Sequence, residues 1–242
     1  VVPKVVVGEC HRKEVWQASM TSMPESNIVL AFGSFQKGDC ARDVKVVHEQ
    51  FPKILRLAGY DVTDPMEGNE FDFNALKETK VLVLCTSSKL GFPPPNLMQF
   101  AHNLMTAAAA KPGCLAHLRH AVCGNGQDLY EETYMNMPRY MDMLLEKCGS
   151  RRFYQRGEFG EPHAATNAEK CEPKAWSGGM WSALTDTIAA DGDNVQWSST
   201  PWDGLWALKQ SPVHNKVTEW TVQELEKKME KEKVAVPPAA KL

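Results

Sequence analysis

Three runs in this chain carry apolar side chains without alternation: Ile28–Phe32 (IVLAF), Val81–Cys85 (VLVLC) and Ala121–Cys123 (AVC). Successive side chains of a strand point to opposite faces, so a strand that is apolar at every position must be covered on both sides. Each run gives way to Gly, Ser or Thr, and then to a stretch with helical spacing. Cys40–Ala58 is such a stretch, interrupted by Pro52, and Asn96–Ala110 and Glu131–Lys147 are others. Tyr60–Val62 and Arg152–Gln155 read as two further short strands, and Pro173–Ala190 as a last helix that starts on proline. Strands alternating with helices predict an α/β fold: a doubly wound, five-stranded parallel sheet with helices on both faces. The sheet domain spans residues 27–190. Residues 1–26, with a β-branched run at Val5–Val7 and Pro24 near the end, form an arm. Residues 191–242 form a C-terminal extension that carries Trp197, Trp202, Trp206 and Trp220 and ends in a charged helix.

Composition narrows the function classes. The 242 residues suffice for one domain with a sizeable core, and no apolar run approaches the length of a membrane span. With 27 basic and 30 acidic side chains the formal charge is −3, which leaves no basic field for a nucleic-acid backbone. The run Glu224–Lys233 (ELEKKMEKEK) mixes signs at helical spacing and reads as a solvated helix. Seven cysteines without a CxxC pair argue against a disulfide framework or a zinc ribbon. Cys114, His117, His120 and Cys123 are three apart, but Cys123 belongs to a buried strand, so no metal site is assigned to them. No GxSxG, Walker or HExxH pattern supports a hydrolase or transferase. The chain begins at Val1 rather than Met, which suggests removal of a transit peptide and an organellar location, chloroplast or mitochondrion. Its last residues, Ala240-Lys241-Leu242, are a variant of the peroxisomal SKL address, so peroxisome and cytosol remain alternatives.

In a parallel sheet of this kind, ligands sit beyond the carboxyl ends of the strands. The loops after Phe32, Cys85 and Cys123 are therefore the ones that carry chemistry. The third reads AVCGNGQDLYEETY (Ala121–Tyr134), the second TSSKLGFPPPNLMQF (Thr86–Phe100) and the first FGSFQKGDCA (Phe32–Ala41). In order and spacing the three resemble the flavodoxin-like FMN-binding domain of the diflavin reductases, whose patterns are A-V-F-G-L-G-N-x-x-Y-E-x-F, T-Y-G-x-G-x-P-P-D-N-A-x-x-F and Y-G-S-x-T-G-T-A. The likeness covers about two thirds of the chain and implies FMN as cofactor.

That resemblance assigns roles residue by residue. Ser34, Gln36, Lys37 and Gly38 stand where the phosphate loop would wrap its anion at a helix N-terminus. Asp39 either caps the following helix or opposes the phosphate, at about 3 kcal/mol for a separation of roughly 5 Å at an effective dielectric of ~20. In the second loop Ser87, Ser88 and Gly91 line the ring site. Ser88 replaces the family's aromatic and Lys89 its first glycine, which removes stacking of about 0.5–1.5 kcal/mol beyond buried area. In the third loop Gly124, Asn125, Gly126 and Gln127 present backbone groups to the ring edge, and Tyr130 falls at the stacking position or packs in the core. Glu161, in RGEFGE, matches an acidic position of the last loop. Two functions follow as expectations. One is a non-catalytic or weakly flavin-binding subunit of a larger, electron-transport assembly, docked on its partner through Trp197, Trp202, Trp206 and Trp220. The other is an FMN-dependent electron carrier between a reductase or photosystem-type donor and an acceptor, in which no side chain is a catalyst. The chain is not expected to be a complete reductase, because no NADPH-binding half follows the sheet domain.

Overall fold

The computed structural model describes residues 27–34, 44–45, 61–88, 90–126, 133–159, 173–189 and 217–242. Strand β1 (Asn27–Gly33) pairs in parallel with β4 (Val81–Ser87), from Ile28 beside Val81 to Gly33 beside Thr86. Strand β4 pairs in parallel with β5 (Arg119–Asn125), from Val81 beside Arg119 to Ser87 beside Asn125. These central strands are the three apolar runs, each extended by a few residues into its flanks. The outer positions are each filled by two short strands. Beside β1 lie β2 (Asp61–Val62) and β3 (Met66–Glu67), and beside β5 lie β6 (Arg151–Arg152) and β7 (Gly157–Phe159). The sheet thus has five positions occupied by seven strands, all parallel.

Both outer interruptions have local causes. Between β2 and β3 stands Pro65, which has no N–H to give a ladder, and the Leu30 N–H donates to Thr63 Oγ1 at 3.0 Å instead. Between β6 and β7 the Gln155 carbonyl turns out of the sheet to accept from Trp176 Nε1 at 2.8 Å. The single strand expected at Arg152–Gln155 is therefore two strands around a break.

Alternate residues of the central strands feed two cores. Val29, Ala31, Leu82, Leu84 and Val122 face helices α1 (Met98–Ala110) and α2 (Asn136–Lys147). Ile28, Leu30, Val83, Cys85 and Cys123 face Val44 and the buried Trp176, Met180 and Trp181 of α3 (Pro173–Ala189). Helix α1 is preceded by a 3₁₀ turn at Pro95–Leu97, where the proline run sets the entry. Helix α2 starts at Asn136, later than the expected Glu131, because Met135 adopts a left-handed conformation (φ 53°) at its N-cap. Val44 and Lys45, the described part of the helix expected at Cys40–Ala58, are helical.

The end of the chain departs most from expectation. Helix α4 (Val222–Glu232) opens on a capping box, in which Glu224 N–H donates to Thr221 Oγ1 and Thr221 N–H to Glu224 Oε2. Two of its residues, Leu225 and Met229, are spaced i, i+4 and are 1% and 0% exposed in the core formed with α1 and α2. Polar contacts run along the whole segment: Glu226 to His102 at 3.0 Å, Gln99 to the Ala235 carbonyl at 3.0 Å, and Lys111 to the Leu242 carbonyl at 2.6 Å. Residues 217–242 are thus packed as a layer on one face of the sheet domain. Leu225→Ala should lower stability by about 2–5 kcal/mol, as for a buried leucine whose site cannot collapse. Urea unfolding of the intact chain measures this, and a loss under about 1 kcal/mol would contradict the packing.

Candidate functional site at the carboxyl edge of the sheet

The strand registers place Gly33 beside Thr86, and Ser87 beside Asn125, so the three chemistry-bearing loops leave the sheet side by side. Gly33 is needed there because a Cβ would lie 2.5 Å from Leu97 Cβ. The next residue, Ser34, donates its N–H to Asn96 Oδ1 at 3.1 Å, which ties the first loop to the start of the α1 segment. Gln36, Lys37 and Gly38 lie outside the described residues, as do Gln127, Tyr130 and Glu161.

The second loop is bound to its own chain. Ser88, at the position of the family's aromatic, turns its hydroxyl to accept the Met137 N–H at 2.7 Å. Met135, the N-cap residue of α2, makes no side-chain cap, so Ser88 satisfies one of that helix's free amide groups from a distant loop. Leu90 and Gly91 then both take positive φ (54° and 80°). The Gly91 carbonyl accepts from Asn136 Nδ2 at 2.9 Å and from Trp220 Nε1 at 3.0 Å. Asn136 also accepts the Thr218 N–H at 2.7 Å, and the Trp220 ring stacks on Phe92 with centroids 3.9 Å apart. Trp220, one of four tryptophans that either dock a partner or staple the tail onto the domain, is engaged within the chain: its ring has Phe92 and its N–H has Gly91.

The third loop is tight where it leaves the sheet and more open one step later. A Cβ on Gly124 would meet Pro138 Cγ at 2.1 Å, whereas one on Gly126 would find Met135 Cε and Tyr134 at 3.5–3.6 Å. Gly126 N–H donates to the Phe159 carbonyl at 3.1 Å, which links this loop to the end of β7. Tyr134 and Met135 are both buried beside it. Sequence reasoning missed this pair, because a Tyr-Met just ahead of a helix carries no periodic signal of its own.

A second missed feature lies behind the third loop. Arg139, 1% exposed, donates Nε and Nη2 to the two Glu158 carboxylate oxygens, each at 2.8 Å. Arg156 bridges Glu158, at 3.1 Å, and Asp142, at 2.5 Å. Asp142 also accepts from Arg152 at 2.9 Å and pairs with His120 Nε2 at 3.1 Å, while His120 Nδ1 lies 2.7 Å from Ser150 Oγ. Burial by itself would raise the Asp142 carboxyl. The His120 hydrogen bond and the Arg156, His120 and Arg152 charges outweigh it and hold the group well below the usual carboxylate range. Glu158 is depressed for a parallel reason: its burial is outweighed by the Arg139 bond and the Arg139 and Arg156 charges. His117 by contrast meets the Leu76 carbonyl at 2.9 Å, so it and His120 serve different partners.

The comparisons with known proteins agree with this arrangement. The flavodoxin family model matches residues 47–174, more than half of the chain. The chain belongs to the flavodoxin family. It is 37% identical over 106 residues to a bifunctional cytochrome P450/NADPH–P450 reductase of Bacillus cereus, a match covering 44% of this chain and 9% of that protein. It is 29% identical over 126 residues to methionine synthase reductase of Bos taurus, covering 49% of this chain and 16% of the relative. The aligned region is thus a small part of either relative's length. Among solved structures, oxidised Flavodoxin 2 from Bacillus cereus superposes with a TM-score of 0.51 at 16% identity, over 66% of this chain and 99% of that one. The likeness to reductase domains read from the three loops is borne out.

At this edge Ser87 and Ser88 of the second loop stand beside Asn125 and Gly126 of the third, and the Gly126 N–H is held by the Phe159 carbonyl. In the second loop the Ser88 hydroxyl is spent on α2 and the Gly91 carbonyl on Asn136 and Trp220. The charge network makes a sharper prediction. Asp142→Asn should destabilise the protein by about 3–5 kcal/mol, because it leaves buried guanidinium groups short of a counter-charge. Both carboxylates are depressed, so their contribution is present above the unfolded carboxylate range near about pH 4 and is lost as pH falls through their lower folded values. Below about pH 4 the wild type should therefore lose stability more steeply than Asp142→Asn in urea titrations. Parallel curves would show that Asp142 is not a source of the acid sensitivity.

Proposed function

We propose that this chain is a non-catalytic or weakly flavin-binding, flavodoxin-type subunit of a larger, electron-transport assembly. The observation that carries the reading is Ser88: at the position where relatives would place a ring-stacking aromatic, a hydroxyl caps helix α2 instead. FMN offered to this edge would meet no aromatic side chain at Ser88 to stack on its ring. Trp197, Trp202 and Trp206, which lie outside the described residues, are proposed as the contacts to a protein partner. An organellar setting, chloroplast or mitochondrion, goes with this reading.

The second reading, an FMN-dependent electron carrier, is favoured by the family and by the room at Gly126 beside the carboxyl edge of β5, where a Cβ would find no neighbour closer than 3.5 Å. In that case bound FMN would supply the one- or two-electron chemistry, and this chain would hold the cofactor and exclude water from its ring. An absorbance titration separates the two. The purified full chain should show no stoichiometric flavin bands, and added FMN should bind weakly or not at all. Copurified flavin at one per chain, with submicromolar affinity on titration, would establish the carrier instead.

A further inference from the structure

The amino edge of the sheet, opposite the ligand loops, brings two cysteines together that neither reading of the site uses. Helix α1 ends at Ala110 and the chain turns through residues 111–118 into β5. Helix α2 ends at Lys147 and turns through Cys148, Gly149 and Ser150 into β6. The two turns touch backbone to backbone. Gly113 and Gly149 take φ of +85° and +89°, and a Cβ on Gly149 would lie 2.8 Å from Gly113 Cα. One residue further, the Leu115 N–H donates to the Cys148 carbonyl at 2.8 Å. Cys114 and Cys148 therefore sit on adjacent strips of main chain, near enough for the Cys114 charge to raise the Cys148 thiol, whose Sγ lies 4.0 Å from the Leu104 carbonyl. A disulfide requires Cα atoms about 4.4–6.8 Å apart, the spacing that neighbouring strips of hydrogen-bonded backbone provide. Cys114 reaches solvent in part, while Cys148 is buried.

We propose that Cys114 and Cys148 form a redox-sensitive dithiol which hydroperoxides oxidise to a disulfide, locking the α1–β5 turn to the α2–β6 turn. Cys114, the thiol that solvent reaches, attacks a peroxide oxygen as its thiolate. The O–O bond breaks, hydroxide or alkoxide leaves, and Cys114 becomes a sulfenic acid. Cys148 Sγ then attacks Cys114 Sγ, the S–S bond forms, the S–O bond breaks, and water leaves with the Cys148 proton. Two thiols and one peroxide give one disulfide, with both oxygens of hydrogen peroxide leaving as water. Burial, and after it the charge of Cys114, push the Cys148 thiol up to about 12, so Cys148 is inert alone. The order of the two steps follows from exposure, since an oxidant in solution meets Cys114 and not the buried Cys148. Cys85 and Cys123 also stand side by side, in register at the centre of the sheet, but both are fully buried and out of reach of an oxidant.

The test uses the full chain, treated with hydrogen peroxide under native conditions and read by intact mass and by non-reducing peptide mapping. The expected result is the loss of two hydrogens, a peptide pair joining Cys114 to Cys148, reversal by dithiothreitol, and loss of the cross-link in Cys114→Ser. In Cys148→Ala the Cys114 sulfenic acid should persist and be trapped by dimedone. If Cys148→Ala fails to fold, the wild-type map and Cys114→Ser still decide. Sulfenic or sulfinic acid accumulating on wild-type Cys114 without a cross-link, or a disulfide formed by another cysteine pair, would overturn the proposal.

Discussion

Every side chain from Val81 to Thr86 is buried, so β4 has no face to give to water. Its backbone is engaged on both sides as well, by β1 and by β5 in long registers. A strand in that position can be stable only if apolar layers cover both faces, and Leu82 with Leu84 demands one layer while Val83 with Cys85 demands the other. Helices α1, α2 and α4 meet the first demand and α3, with Val44, the second. Parallel strands joined through such helices end together at one edge. The loops after β1, β4 and β5 are neighbours for that reason, before any of their side chains is considered.

The apolar layers do not fix how α2 sits along the sheet, and the buried charges supply that constraint. Arg139 and Asp142 project from α2 to Glu158 on β7 and to Arg152 and Arg156 around the break after β6. Charges this deep give little net stability relative to an apolar filling, but each is strongly unfavourable when its partner is displaced. A slide of α2 by one turn would strand several of them at once. The network therefore holds the start of α2 at the place where Ser88 can reach the Met137 amide and where Tyr134 and Met135 close over Gly126.

The central strands were legible because an apolar run without alternation has one interpretation in a chain of alternating elements. The outer strands were not, since two- and three-residue ladders fall below any period. Their breaks depend on Pro65 and on a Trp176 contact contributed by a helix far along the chain. The tail shows a different limit. Its charge run reads as a solvated helix from the sign mixture, yet Leu225 and Met229 carry the i, i+4 spacing of a buried stripe, and Thr221 with Glu224 the capping box. Two apolar residues among ten are a weak signal until a groove between α1 and α2 exists to receive them. In the site, the positions of Ser34, Ser88, Gly91, Asn125 and Gly126 followed from loop order. What Ser88 and Gly91 bond to did not, because Met137, Asn136 and Trp220 are distant in sequence.

The second loop and the tail form one connected unit. Ser88 bonds α2, Asn136 of α2 bonds both Gly91 and Thr218, and Trp220 bonds Gly91 while stacking on Phe92. Turning the Gly91 carbonyl elsewhere would break two hydrogen bonds of about 0.5–1.5 kcal/mol each and disturb a stacked aromatic pair of similar worth. A loop whose peptide must reorient during a ligand's chemistry is served poorly by such anchoring. A loop that must keep a fixed shape is served well, and at its tip Leu90, 67% exposed, is held out to solvent in a left-handed conformation. Ser88 and the tryptophan of the tail are therefore two parts of one anchored edge.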